Sequence, residues 1–229
     1  MIRIVTIERQ YGCGGGEIAE RLAQRLQWKL WDQALTGEIA RLANCPKAVV
    51  ESREERTDPL YYRLFKSFLR GSFEGSLNAH KLNLVDSETI MRTTERVVQH
   101  VASKGSCVIV GRGAQHFLCA RQDTLRLFLF APREQKVRRV MTRGKTEAEA
   151  EERVDTVDRE RADFIQKYFG VEWPNFSLYH AMLNTAVGDE RGVQAILELM
   201  KTFDAGEDAA GRPGAGSGSG QQVEQDSWR

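Results

Sequence analysis

A glycine-rich stretch at residues 8–17 constrains the fold of this chain more than any other sequence feature. An apolar, β-type run at residues 2–7 precedes it, and a helix-type run at residues 18–26 follows it. This order of strand, glycine-rich turn and helix presents free backbone N–H groups at a helix N-terminus, where anions bind. Glycine also permits positive φ and close approach of a ligand to the backbone. The stretch therefore predicts a phosphate-binding loop, and the alternative is a flexible turn between strand and helix.

The rest of the chain alternates between strand patterns and helix patterns. The runs at residues 107–110 and 125–130 are almost wholly apolar, which is typical of strands buried on both faces of a parallel sheet. Apolar residues at helical spacing predict helices at about 87–104 and 147–168, and another after Pro132 with Val137, Val140 and Met141 inward. This alternation predicts an α/β fold, a parallel sheet with helices on both faces.

Composition limits the classes of function. The net charge of +1, from 33 basic and 32 acidic residues, gives no support to a nucleic-acid-binding surface. No apolar run approaches the roughly 18 residues that a membrane span needs. The four cysteines are scattered without a CxxC pair, which argues against a zinc site and for a reducing compartment. We therefore expect a cytoplasmic protein with no nucleic-acid or membrane partner, and a disordered tail at residues 204–229, where the composition changes.

Two phosphate-binding motifs can be compared with the loop. The dinucleotide fingerprint GxGxxG is matched by Gly12 and Gly14, but Glu17 stands where the third glycine belongs. The P-loop pattern GxxxxGK[ST] places Gly14 at its last glycine, Gly15 at the lysine and Gly16 at the hydroxyl residue. With one more residue in the loop, Glu17 falls at the hydroxyl position instead. Neither motif is complete, so the choice between them depends on the strands and helices predicted around the loop.

The ordered set of motifs along the chain resembles the cytidylate kinase-like family, a branch of the P-loop nucleoside monophosphate kinases. The matching segments are residues 4–12 with Gly14-Gly15, then 17–19, Trp31-Asp32, 108–114, 127–129 with 131–133, 157–161 and 183–185. The resemblance implies a three-layer P-loop NTPase-type parallel sheet within residues 1–203, a helical nucleotide-monophosphate-binding insertion at about 33–85 and a lid at about 142–165. It also implies small-molecule nucleotides as ligands, with phosphoryl transfer from ATP to CMP or dCMP assisted by Mg²⁺.

The same resemblance implies a set of site residues. The residues expected to bind the donor phosphates are Gly12, Cys13, Gly14, Gly15, Gly16 and Glu17. Those expected to bind the acceptor are Asp32 and Arg112, and the arginines expected to act in catalysis are Arg9, Arg143, Arg159 and Arg161. Either Glu17 or Asp32 is a candidate ligand of Mg²⁺, which in proteins takes one or two carboxylates and keeps several waters.

Four of these five arginines also have a simpler interpretation. Phosphoryl transfer needs cations around the transferred group, and Arg9 could supply the charge of the missing lysine or form a structural ion pair with Glu8 or Glu17. Arg112 either binds the acceptor phosphate or is a surface arginine after a strand. Arg159 and Arg161 lie on a helix rich in both charges, so a solvated face is their alternative. The acidic Glu17 is explained equally by the helix dipole.

The chain departs from the family at several charged positions, which leaves more than one function open. Gly15 replaces the loop lysine of true cytidylate kinases, and Gly16 and Gln33 replace arginines common among closer relatives. The first hypothesis is a nucleoside monophosphate kinase. The second is a non-catalytic, nucleotide-binding regulatory protein that keeps the kinase fold. A third, a dinucleotide-dependent oxidoreductase, follows from the partial GxGxxG match.

Overall fold

A computed structural model describes residues 1–32, 34–35, 38–39 and 87–210 of the chain. Five strands form one sheet: β1 (Ile4–Arg9), β2 (Lys29–Trp31), β3 (Cys107–Val110), β4 (Thr124–Phe130) and β5 (Ala181–Asn184). Their order is β2-β3-β1-β4-β5, and every neighbouring pair is parallel. The predicted parallel sheet is confirmed.

Six α-helices connect or flank these strands within the described ranges. They are α1 (Gly15–Leu26), α2 (Ser87–Lys104), α3 (Ala114–Phe117), α4 (Arg133–Met141), α5 (Glu147–Phe169) and α6 (Asp189–Ala210). The capping box predicted before α5 is present, since the Thr146 hydroxyl and the Glu149 carboxylate each bond to the other residue's backbone N–H. Short 3₁₀ turns at Phe176–Leu178 and Thr185–Val187 flank β5.

The helices cover both faces of the sheet, which gives three layers. On one face α1 and α6 pack against the strands through fully buried side chains that include Ile18, Leu22, Val193 and Ile196. On the other face α2 and α5 do so through Val97, Val98, Phe164 and Ile165. Because both faces are buried, strand β3 reads as a continuous apolar run in the sequence.

A third, smaller cluster joins α4 and α5 to the glycine-rich stretch. Tyr11, which lies between β1 and α1, packs with the following residues of the two helices: Val137, Val140, Ala150, Val154 and Val157. Met141 is 38% exposed, so its predicted inward position is wrong. Met141 is the last residue of α4, and it is not part of the buried cluster that includes the adjacent Val140. The cluster around Tyr11 holds α4 and α5 directly over the loop.

The carboxyl ends of the parallel strands meet at one edge of the sheet, the usual ligand edge of open α/β folds. The loop after β1, the Gly111–Gly113 turn after β3 and Thr185 after β5 therefore lie at the same edge. This arrangement brings together segments that are far apart in sequence.

The predicted insertion and the predicted tail lie partly or wholly outside the residues that the structure describes. Apart from helical positions at Ala34, Leu35, Glu38 and Ile39, the insertion predicted at 33–85 lies outside the described residues. Helix α6 continues to Ala210, past the predicted start of the tail, and the Asp204 carboxylate accepts a hydrogen bond from the Ile2 N–H. Residues 211–229 lie outside the description. No described helix is both long enough and apolar enough to span a membrane.

His116 on α3 makes the stability of the fold depend on pH. Its ring stacks on Phe169 with 4.1 Å between centroids, and burial lowers the pKa of His116 to about 4. The folded protein keeps this histidine neutral, whereas the unfolded chain binds a proton below about pH 6.5. Stability should therefore fall as the pH decreases from about 6.5 to about 4, by up to about 1.4 kcal/mol per pH unit from this residue.

The variant His116→Phe tests this dependence because it keeps an aromatic ring against Phe169. Urea denaturation between pH 4 and pH 7 should show a shallower loss of unfolding free energy for the variant than for the wild type. Parallel pH profiles for the two proteins would contradict the assignment to His116.

Candidate functional site

The loop after β1 has the backbone of an anion-binding turn. Gly12 and Gly14 have φ values of 76° and 85°, in the left-handed region that glycine tolerates best. Gly14 is also the residue that precedes α1, and it offers no side chain to cap the first turn of that helix. The N-terminus of α1 is therefore left open to an anion from outside the helix.

Hydrogen bonds from three other elements fix this loop. The Asp158 carboxylate on α5 accepts a bond from the Tyr11 N–H at 2.7 Å. The Thr185 hydroxyl donates to the Cys13 carbonyl oxygen at 2.6 Å, and the Cys13 thiol contacts the Leu129 carbonyl oxygen at 3.6 Å. The loop backbone is thus held in place on both sides.

Cys13 belongs to the loop backbone, but its side chain points into the core. It is 1% exposed, and burial raises the pKa of its thiol to about 11. Because the thiolate is the reactive form, iodoacetamide at pH 8 should leave Cys13 unmodified in the folded protein while it alkylates the exposed Cys119. Peptide mass spectrometry measures both sites in one sample. Equal alkylation of the two cysteines without denaturant would contradict the buried position of Cys13.

A cavity of about 250 Å³ opens over the loop. It is lined by residues 9–12 and 14–17 together with Arg143 and Arg161. The Glu17 carboxylate accepts a hydrogen bond from the Arg143 guanidinium at 2.7 Å, and the Arg139 guanidinium lies 4.0 Å from its other oxygen. Arg139 pairs in turn with Asp189 at 2.9 Å. Glu17 and the arginines of α4 and its following turn therefore form an ion-pair network at the mouth of the cavity.

A second cavity, of about 300 Å³, lies beside the first at the end of β3. It is lined by Glu8, Arg9, Arg112, Gly113, Arg161, Phe164, Ile165 and Trp173. The lining therefore combines three guanidinium groups with apolar and aromatic side chains. Arg9 and Arg161 line both cavities.

Arg112 is buried at this edge rather than exposed on the surface, so its interpretation as a surface arginine is wrong. It is 2% exposed, with a φ of 58° between two left-handed glycines. Burial lowers the pKa of Arg112, and the Asp32 carboxylate acts in the opposite direction. The positive charge is thus held here at a cost in solvation, which a phosphate would reduce.

Arg161 is also buried, at 7% exposed, and the solvated-face interpretation is wrong for it. Its guanidinium donates to the Arg9 carbonyl oxygen at 3.0 Å and lies 3.4 Å from the Asp158 carboxylate. Burial and the nearby positive charge of Arg9 both lower the pKa of Arg161. Arg159, two positions earlier on α5, is exposed and lines neither cavity.

The structure thus brings together most of the residues predicted for the site. The loop glycines, Glu17, Arg9, Arg143 and Arg161 surround the first cavity, and Arg112 lies in the second. Asp32 is buried near Arg112 but lines neither cavity. Four supporting residues had no role assigned from sequence: Gln115, whose amide donates to Glu8, Lys136, which pairs with Asp158, Asp158 itself, and Thr185. Of these four, only Asp158 could have been identified from the sequence, because it lies three residues before Arg161 on one helix, a spacing that allows an ion pair.

The candidate magnesium ligands are already engaged by cations. Glu17 is bonded to Arg143, and the charge of Asp32 acts on Arg112. Among the residues that the structure describes, no three histidine, cysteine or carboxylate side chains converge as a metal site. Glu17 and Asp32 therefore do not form a preassembled Mg²⁺ site with other described side chains.

Comparisons with known proteins agree with this architecture. The sequence profile of the cytidylate kinase-like family matches residues 4–187. A cytidylate kinase from Methanosarcina mazei is 28% identical over 87 residues, covering 37% of this chain and 48% of that protein. The chain therefore matches about half the length of this curated relative.

Two solved structures resemble this chain to different degrees. An uncharacterized protein from Eubacterium ventriosum has a TM-score of 0.64 at 21% identity, covering 88% of this chain and 99% of that one. A shikimate kinase from Bacteroides thetaiotaomicron has a TM-score of 0.47 at 16% identity, with the same coverage of both chains. The first of these likenesses shows a shared fold.

Proposed function

The chain belongs to the cytidylate kinase-like family, and from this premise we propose that it transfers the γ-phosphoryl group of ATP to CMP or dCMP. The products are ADP and CDP or dCDP. The observation that carries the proposal is that two adjoining cavities share Arg9 and Arg161. A phosphoryl group that passes between a donor over the loop and an acceptor beside Arg112 would remain next to these two cations.

On this proposal the donor phosphates bind over the glycine loop. The open N-terminus of α1 supplies backbone N–H groups, and Arg143 supplies charge from the turn after α4. Asp158 and Thr185 hold the loop backbone so that these donors are already oriented before the nucleotide arrives. When bound with the nucleotide, Mg²⁺ would neutralise part of the phosphate charge.

The acceptor would occupy the second cavity. Arg112 presents a planar guanidinium to the acceptor phosphate, for which bidentate binding is favourable. Phe164, Ile165 and Trp173 add apolar and aromatic lining to the same cavity, which suits a flat base. Phosphoryl transfer requires mainly positioning and charge neutralisation, and the residues around the two cavities can provide both.

A coupled ADP-release assay with ATP, Mg²⁺ and each of CMP, dCMP, UMP and AMP tests this function. We expect turnover with CMP or dCMP well above the other acceptors. Turnover mainly with UMP or AMP would overturn the proposed base preference, and no turnover with any acceptor would overturn the kinase function itself.

One observation favours the second candidate, a nucleotide-binding protein without transferase activity. The Glu17 carboxylate already pairs with Arg143 at the mouth of the loop cavity, where a nucleotide phosphate would compete for the same cation. This alternative predicts a rise in melting temperature with ATP but no ADP release with any acceptor. Thermal shift measured beside the coupled assay separates the two functions.

A further inference from the structure

The space above Gly15 explains why the loop has no lysine. A Cβ atom added at Gly15 would lie 2.9 Å from the Arg9 Cβ and 3.0 Å from the Arg9 Cγ. The Arg9 Cβ is fixed by the backbone at the end of β1, and the Cγ can move away only if the Arg9 side chain rotates out of its observed position. A side chain at position 15 and the observed Arg9 side chain therefore exclude each other.

The far end of Arg9 reaches across to the second cavity. An added Cβ at Gly111 would collide with the Arg9 guanidinium. The stem of Arg9 thus lies on Gly15 of the phosphate loop, and its charged group lies against Gly111 at the end of β3. Two glycines from separate segments leave room for one arginine between the two cavities.

This guanidinium has hydrogen-bonding capacity that the described part of the chain does not use. Arg9 is 4% exposed, and its Nε and Nη2 atoms have no hydrogen-bond partner among the described residues. Its Nη1 atom lies 3.8 Å from the Glu8 carboxylate, too far for a strong hydrogen bond. The other Glu8 oxygen accepts a bond from the Gln115 amide. A structural ion pair with Glu8 therefore leaves two buried donors unexplained.

We propose that Arg9 is the phosphate-binding cation of this loop and takes the place of the P-loop lysine. Its Nε and Nη2 atoms, which donate to no described residue, bind oxygens of the terminal phosphate of a triphosphate, and Gly15 and Gly111 are small so that the side chain can lie between them. The identification of this triphosphate as the phosphoryl donor rests on the proposed function. Its binding step, however, needs no acceptor and no turnover, so it can be tested alone.

Inorganic triphosphate, titrated into the full-length protein by calorimetry, is the probe. The variant Arg9→Gln should weaken its binding by about 10- to 100-fold, because charge-assisted hydrogen bonds are lost. Arg133→Gln removes the same charge from an exposed ion pair on α4, and its binding should match the wild type. Equal affinity for Arg9→Gln and the wild type would overturn the proposal.

A second pair of variants distinguishes a loss of binding from a loss of folding. Removal of Arg9 alone leaves the buried Glu8 without its nearest cation, so Glu8→Gln serves as a neutral background. We expect Glu8→Gln to bind triphosphate at least as tightly as the wild type, and Glu8→Gln/Arg9→Gln to bind it 10- to 100-fold more weakly than Glu8→Gln. Equal affinity in these two proteins would overturn the proposal independently of stability.

The steric part of the inference has its own experiment, an exchange of the two positions. Gly15→Lys should lose binding because its side chain cannot coexist with Arg9. In Arg9→Gly/Gly15→Lys, which removes both the Cβ and the Cγ of Arg9, the lysine has space, and triphosphate binding should recover at least tenfold over Arg9→Gly. A double variant no better than Arg9→Gly would overturn the idea that one cation replaces the other.

The outcome for Arg9 can be separated from the outcome for the kinase reaction. Arg9-dependent triphosphate binding without turnover of any acceptor would overturn the kinase function and support the role of Arg9. Turnover of CMP that is unchanged in Arg9→Gln would support the kinase function and overturn the role of Arg9.

Discussion

The variant Asp158→Ala should lose about 3–5 kcal/mol of unfolding free energy, the effect expected when one partner of a buried ion pair is removed. The Asp158 carboxylate contacts Lys136 Nζ at 3.0 Å and the Arg161 guanidinium at 3.4 Å, and both cations are 7% exposed. It also accepts the hydrogen bond from the Tyr11 N–H. Alanine would leave two buried cations and one loop N–H without this acceptor.

Asp155, three residues earlier on α5, provides a matched control. Its carboxylate pairs with Arg133 at 2.9 Å, but both side chains are nearly half exposed. Exposed ion pairs contribute about 0–1 kcal/mol, so Asp155→Ala should change little. Urea denaturation of both variants, with m-values compared, measures the difference. Similar losses in the two proteins would show that Asp158 does not act as the anchor between α5 and the loop.

The elements of the fold that sequence predicts best are those whose pattern is set by local burial. Strand β3 reads as a four-residue apolar run because both of its faces are covered, and α5 begins with a capping box. The placement of Arg112 at the ligand edge also follows from sequence, since it comes directly after a buried parallel strand. In each case the prediction depends only on residues that are neighbours in the sequence.

The parts of the site that sequence does not predict depend on contacts between distant segments. Arg9 fills the space over Gly15. This contact could not be predicted, because a sequence motif does not contain the direction in which a side chain extends. The Asp158–Tyr11 bond requires α5 to dock over the loop. For Arg159 and Arg161 the charge pattern left the same two interpretations open, catalysis or a solvated face, but a two-residue step on a helix turns by roughly 200° and separates them. Arg161 is buried and Arg159 is exposed.

A balance between cations and carboxylates organises the whole edge of the sheet. Glu8 and Asp32 lie near Arg9 and Arg112, and Glu17 pairs with Arg143. An anionic ligand would shift this balance, because it would offer the arginines a partner with more charge than one carboxylate. Mutations at this edge should therefore alter ligand affinity and stability to different extents, and measurements on each variant need both quantities.

Arg112→Ala should lower kcat/KM for CMP by at least about 100-fold, comparable to the loss of one oriented donor in other active sites. The KM for ATP should change little, because Arg112 lines only the second of the two cavities. Arg112→Lys keeps a positive charge beside Asp32 but loses the planar pair of donors, so its loss should be intermediate. Arg121→Ala, which removes a half-buried arginine that pairs with Asp123 and lines neither cavity, is the control and should retain wild-type kinetics.

Calorimetric titration with CMP and a melting curve for each variant distinguish binding from folding. For Arg112→Ala we expect acceptor affinity to fall far more than melting temperature, since burial already disfavours the charge of this arginine in the free protein. If the melting temperature fell sharply while CMP affinity per folded molecule stayed constant, Arg112 would be a structural residue. The second cavity would then not be the acceptor site, and an acceptor would have to bind elsewhere on the ligand edge.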